Sequence, residues 1–180
     1  AARLFSAALG RDLPEPKLQV LSRLDRSIQS AETLLRALLD ISRLDAGGII
    51  ASPRPLRLRP LLAETVETMM PLAREKGLEL RIGPGDAVVE TDPGLLRSIM
   101  QNFLSNAIRY TQAGGIVVGV RRRGSRARID VIDTGPGIAE DEQANLFRKF
   151  GRASTRPTGG ETSHGLGLAV AKRLAEAMGG

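Results

Sequence analysis

QNFLSNAIRYT, residues 101–111, is the stretch from which the rest of the chain becomes readable. Asn102 and Asn106 stand four residues apart, so they share one face of a helix, while Phe103, Leu104, Ala107 and Ile108 can face a core. Two amides on an otherwise apolar helix need hydrogen-bond partners or a ligand. A carboxamide oxygen is also a suitable hard ligand for Mg²⁺, which ordinarily keeps waters and phosphate oxygens as well. Arg109 lies where it can reach the same phosphates. Taken alone, the stretch reads more readily as a helix with capping or solvent-facing asparagines.

Two downstream stretches change that balance. In DTGPGI, residues 133–138, a strand ends on Asp133 and two glycines then permit close backbone approach to a ligand. Asp133 can accept a hydrogen bond from an exocyclic amine such as that of adenine. In SHGLGLAV, residues 163–170, glycines open a helix whose first amides can hold phosphate. The common dinucleotide fingerprint fails at both places, because Val170 and Glu140 stand where its third glycine belongs, and no P-loop sequence is present.

Working outward, Asp92 followed by Pro93 forms an N-cap and first-turn pair for a helix reaching Tyr110. A helix from about Pro60 to Lys76 precedes it, and strands are expected at Leu78–Ile82, Val88–Thr91, Ile116–Arg122 and Arg128–Asp133. RRRGSRAR, residues 121–128, places five arginines around one glycine and reads as a solvated hairpin turn between two strands. Aromatic residues make up only 3%, which leaves no stacking platform for single-stranded nucleic acid. EDEQANLFRKF predicts a short helix, and the last helix runs from about Gly165 to Met178.

The first part of the chain has a different pattern. From Lys17 to about Ala46, Leu21, Leu24, Ile28, Ala31, Leu35 and Leu38 alternate steps of three and four, widened by Leu18, Leu34 and Ile41. Gly47 and Gly48 stop that helix. Residues 1–10 read as the end of another helix, and RDLPEP turns between them. Two helices cannot bury so wide a stripe, so a second copy of the same hairpin is the expected partner, giving a homodimer. The chain has no cysteine and one histidine, which argues against disulfides and against a histidine- or thiolate-based zinc site. No apolar run approaches membrane-spanning length.

QNFLSNAIRYT, DTGPGI, LFRKFGR (146–152) and HGLGLAVAKRLAEAMGG (164–180), in this order and spacing, resemble the N, G1, F and G2 boxes of the catalytic domain of sensor histidine kinases. The helical stretch ending in LLDISRLDAGG is similar to that family's dimerisation and phosphotransfer hairpin. The resemblance implies an α+β chain in three parts. Residues 1–48 would be a helical hairpin forming a four-helix bundle on dimerisation, 49–56 a linker, and 57–180 a two-layer α/β sandwich with a mixed sheet, binding ATP. It implies Asn106 as the Mg²⁺ ligand, Arg109 facing phosphates, Tyr110 lining the nucleotide pocket, and Asp133 on the adenine amine. Gly135, Gly137 and Ile138 would shape the pocket. Phe147 and Phe150 would anchor a lid spanning 151–163, with His164, Gly165, Leu166 and Gly167 toward the phosphates. It further implies a response-regulator receiver domain as partner, no nucleic-acid partner, a cytoplasmic location, and membrane attachment only through segments outside this chain.

Three features bear on the reaction. Related ATPases of the wider family carry a water-activating glutamate four residues before the metal-binding asparagine. Asn102 holds that position here, and an amide is no general base at neutral pH. Phosphoryl transfer to a protein nucleophile is therefore expected over hydrolysis, with a conformational ATPase or a non-catalytic scaffold as alternatives. The sole histidine, His164, falls in the last box, so the acceptor histidine is expected just upstream of Ala1, and closing strands after Gly180. Ser163 stands where the G2 box ordinarily begins with glycine. His164 is read either as bordering the phosphates or as merely solvated.

Overall fold

The computed structural model describes residues 50–124, 126–143, 145–147 and 165–179, together with four helical positions, Val20, Leu24, Ile28 and Leu35. The chain divides into two units, residues 1–40 and 41–180. In the first, Val20, Leu24, Ile28 and Leu35 are all exposed.

In the second unit, β1 (Arg54–Arg57) leads into α1 (Leu58–Glu75), followed by β2 (Glu79–Ile82) and β3 (Val88–Thr91). Then come α2 (Pro93–Tyr110), β4 (Gly115–Arg123), β5 (Arg126–Asp133), the single turn α3 (Glu140–Gln143) and α4 (Gly167–Ala177). β1 pairs antiparallel with β3, and β2, β4 and β5 form a separate three-stranded mixed sheet with β4 central. β2 runs parallel to β4 and β5 antiparallel to it, from Ile116 opposite Asp133 to Arg123 opposite Arg126. The mixed α+β architecture is the expected one.

Alternation along the strands decides which sheet face is covered. Leu80, Ile116, Val118 and Val120 are buried beneath Leu58, Leu61, Leu62 and Val66 of α1 and Met100, Leu104, Ala107 and Ile108 of α2. Ala169, Val170, Ala171 and Leu174 of α4 are buried where that helix packs on α2. The other sheet face carries Arg81, Val117, Arg121, Arg128 and Ile132. Helix α1 begins at Leu58, two residues before the expected Pro60, because the Leu58 amide is already satisfied by Ala87 O at 2.9 Å.

Asp92 caps α2 as its sequence suggests. One carboxylate oxygen accepts from the Gly94 and Leu95 amides at 2.8 and 3.0 Å, and the other accepts from the Ser52 amide at 2.9 Å. These bonds, the one from Ser52 foremost, hold its carboxyl below the usual carboxylate range. Asp86 is also lowered, first by its side-chain hydrogen bond from Arg57. A depressed folded-state pKa gives stability that is fully present above the unfolded value near 4 and is lost as pH falls through the folded value. Unfolding free energy is therefore expected to hold from neutral pH down to about pH 5 and to fall below about pH 4. Asp92→Ala should cost about 1 kcal/mol at neutral pH and flatten that acid limb, as read from denaturant melts across pH.

The β4–β5 hairpin turns at Gly124, which has φ +61°. Asp130, 9% exposed, sits between two opposed arginines: Arg128 Nε is 2.5 Å from one oxygen, and Arg121 Nε is 3.2 Å from the other without hydrogen-bond geometry. Arg57, Arg59 and Arg81 lie nearby around the 83–87 turn. Together with the five hairpin arginines they make this end strongly basic, with Asp86 paired to Arg57, Asp130 between Arg121 and Arg128, and Glu79 beside Arg81.

Candidate functional site

At the other end of the sheet, the described parts of the two glycine-bearing stretches each meet α2: Gly167 approaches Asn102 and Asn106, and Gly135 approaches Tyr110 and Thr111. Asp133 and Arg126 close opposite ends of β5, about 23 Å apart at strand rise. Asn102 and Asn106 are half-buried on the face of α2 that meets α4. Asn102 Nδ2 donates to Ser98 O of its own helix at 2.9 Å, which fixes the amide and turns its oxygen toward Gly167. A Cβ on Gly167 would lie 2.9 Å from that oxygen and 3.9 Å from Asn106 Nδ2. Only a glycine lets the start of α4 come this close to the amide pair.

Leu166, at the N-cap of α4, makes no side-chain cap, and no side chain among the described residues accepts from the first amides of the helix. Gly165 enters the helix with φ +64°, and Leu166, 3% exposed, anchors the turn in the core. The result is an uncapped helix N-terminus beside two carboxamides, a suitable place for an anion. Among the described residues the Asn106 carboxamide has no hydrogen-bond partner. No group of three or more carboxylate, histidine or cysteine side chains among them could hold a metal. A hard cation here would therefore depend on the Asn106 oxygen and on oxygens brought by the ligand.

At the far end of α2, Arg109 and Tyr110 are half-buried in the last turn, and Thr111 caps it with its amide on Ala107 O at 3.0 Å. Lys76 Nζ donates to Ile108 O at 3.3 Å, bracing the helix C-terminus with a positive charge. Asp133 is exposed, and its Oδ1 accepts the Gly135 amide at 2.8 Å, leaving its second oxygen without a partner among the described residues. A Cβ on Gly135 would meet Asp133 Oδ1 at 2.6 Å and lie 3.5 Å from Tyr110 O. The carboxylate and the end of α2 thus both lie against Gly135. Gly137 has φ +73° and open space around it, while Ile138 and Phe147 are 46% and 42% exposed. Phe150, His164 and the expected lid at 151–163 lie outside the described residues.

Sequence reasoning missed Thr134, which ties β5 to the 113–115 turn, and Lys76. Neither stands in a pattern that marks it, because both act through backbone groups distant in sequence. An open groove of about 410 Å³ lined by Arg59, Arg81, Gly83, Pro84 and Val117 opens beside Arg81 and Val117, on the sheet face turned away from the helices. It shares no residue with the amide pair, Asp133 or Gly167. Gly167→Ala separates binding from stability. Alanine's helix preference offsets part of the cost of displacing the Asn102 amide, so the melting temperature should change little, while affinity for the nucleotide that the sequence resemblance implies should fall about tenfold by calorimetry.

Residues 91–180 match the family described as histidine kinase-, DNA gyrase B-, and HSP90-like ATPase. The chain is 41% identical over 155 residues to the circadian input-output histidine kinase CikA of Synechococcus elongatus, covering 82% of this chain and 20% of that protein. It is 32% identical over 179 residues to the sensor protein GacS of Pseudomonas syringae, covering 94% and 20%. The chain thus spans about a fifth of the length of these curated relatives. Among solved structures it is similar to full-length ShkA in complex with AMPPNP, with TM-score 0.74, 32% identity, and coverage of 99% of this chain and 40% of that one. The histidine kinase AdeS of Acinetobacter baumannii shares the fold, with TM-score 0.72 at 20% identity over 97% of this chain and 80% of that one.

Proposed function

This chain belongs to the histidine kinase-, DNA gyrase B-, and HSP90-like ATPase family, and from that membership we propose that it is the ATP-binding catalytic part of a sensor histidine kinase. In this reading it transfers the γ-phosphoryl group of Mg-ATP to a histidine for relay to a response-regulator aspartate. The observation that carries the reading is the closure of Gly167 onto Asn102 and Asn106, which sets an uncapped helix N-terminus against an unpartnered amide. The relatives are named as histidine kinases, and the structure of ShkA was solved with AMPPNP.

Each residue then has a task that its surroundings support. Asp133 accepts the adenine amine on its open oxygen, and Gly135 leaves room for the base against the end of α2. Tyr110 lines the pocket and Arg109 faces the phosphates. Gly165, Leu166 and Gly167 present the first amides of α4 to them. Asn106 is placed to hold Mg²⁺, which when bound would neutralise phosphate charge. Ile138 and Phe147 stand at the pocket margin in this reading, while the roles given to Phe150 and His164 by the family resemblance fall outside the described residues. Asn102, bonded to its own helix and carrying no basic atom, cannot activate water, so the site favours positioning of the phosphoryl group over hydrolysis.

The domain division follows the same reading: residues 1–48 as dimerisation helices, 49–56 as linker and 57–180 as catalytic domain. Leu24, Ile28 and Leu35 are helical and exposed on a single chain, which supports their burial by a second copy in a homodimer. Among the described residues no helix is long and apolar enough to cross a membrane. The proposed location is cytoplasmic, and the proposed partner of the phosphorylated bundle is a receiver domain.

Mixing the chain with a separate histidine-bearing helical bundle and γ-labelled ATP tests the reaction. Acid-labile, base-stable label on the bundle is the expected result. Steady phosphate release without label would favour a conformational ATPase instead, and absence of nucleotide binding a scaffold.

A further inference from the structure

Thr134 lies between the residue that reads the base and the glycine that makes room for it. Its side chain faces the turn between α2 and β4. The Thr134 hydroxyl donates to Ala113 O at 2.8 Å and accepts the Gly115 amide at 3.0 Å, while its own amide donates to Gly115 O at 3.2 Å. Three hydrogen bonds thus tie one residue to a single tripeptide. The turn is shaped to receive it: Gly114 has φ +100°, and a Cβ there would stand 2.3 Å from Thr134 Oγ1. Gly114 O in turn accepts the Glu79 amide at 3.0 Å, which fastens the turn to β2 as well.

We infer that Thr134 is a positioning residue for base selection, locking the Asp133–Gly135 turn so that the free Asp133 oxygen holds a fixed direction. This inference rests on the proposed reading of Asp133 as the group that accepts the exocyclic amine. The turn closed by Asp133 Oδ1 and the Gly135 amide spans three residues, and pinning its middle residue through backbone and hydroxyl fixes both flanks. Without the hydroxyl, the strand end retains one bond to Gly115 and can pivot. The carboxylate then meets an amine or a carbonyl at the base edge with less discrimination.

The test compares ATP with inosine triphosphate, which carries a carbonyl in place of the amine, on the wild-type chain and on Thr134→Val and Thr134→Ser. Partial unfolding lowers apparent affinity for both nucleotides by the same factor, so the ratio reads the site alone. The wild-type chain is expected to prefer ATP by about tenfold or more, the range for a hydrogen bond to a charged group. Thr134→Val should reduce that preference at least about threefold by loosening Asp133, and Thr134→Ser, which keeps the hydroxyl, should restore it. A wild-type preference that survives intact in Thr134→Val would overturn the inference while leaving the Asp133 reading standing. No preference in the wild-type chain would overturn both.

Discussion

Asp133→Ala is expected to weaken binding of a non-hydrolysable ATP analogue by ten- to a hundredfold, with the fold unchanged. The carboxylate is exposed, and its only bond among the described residues goes to the neighbouring Gly135 amide. Little of the core depends on it. A hydrogen bond from a ligand amine to a charged acceptor contributes about 1.5–3 kcal/mol, which sets the expected loss. Circular dichroism and thermal melts should overlay those of the wild-type chain. A loss of folding instead would make Asp133 a structural residue and remove the base-recognition argument.

Gly85→Ala is expected to have the largest effect on stability. Gly85 has φ +100°, and a Cβ there would sit 1.9 Å from the carbonyl oxygen of Val120, well inside contact distance. The obstacle is backbone in the central strand, which cannot rotate aside as a side chain can. Strained backbone and forced strand displacement together should cost about 3 kcal/mol or more. For a unit of this size that lowers the melting temperature by roughly 10 °C. Nucleotide affinity of the folded fraction should persist, because Gly85 lies at the arginine-rich end of the sheet. An unchanged melting temperature would contradict the packing described between the 83–87 turn and β4.

How much of this was legible in the sequence depended on whether a residue acts locally or through a distant partner. Asp92 and Pro93 announced the start of α2, and its end at Tyr110 followed from the apolar spacing, because capping and periodicity are local. Val88–Thr91 was found at its observed bounds for the same reason. The hairpin around Gly124 was found, but β4 runs one residue further at each end than expected and β5 starts two residues earlier, carried by cross-strand pairing, while β5 ends at Asp133 as expected. Of the helix expected in EDEQANLFRKF, Glu140–Gln143 is helical and Asn145 to Phe147 form a turn, the rest lying outside the described residues. The start of α1 was misjudged because Ala87, far along the chain, supplies the acceptor that lets Leu58 begin it.

The same division runs through the site. The asparagine pair and the glycine pairs announced themselves by spacing, and the structure places Asn102, Asn106 and Gly167 against one another. That Asn102 donates back to Ser98 could not be read from sequence, since a solvent-facing amide would have shown the same pattern. The roles of Thr134 and Gly114 depend on a contact twenty residues apart that no local pattern encodes.

The most direct measurement is an NMR titration of the isotope-labelled chain with a non-hydrolysable ATP analogue, with and without Mg²⁺. The side-chain amides of Asn102 and Asn106 and the backbone amides of Gly135 and Gly167 should shift together along one saturation curve, more tightly with Mg²⁺ present. Shifts confined to the groove around Arg59, Arg81 and Pro84, or to the arginine hairpin, would contradict a nucleotide site between α2, α4 and the end of β5.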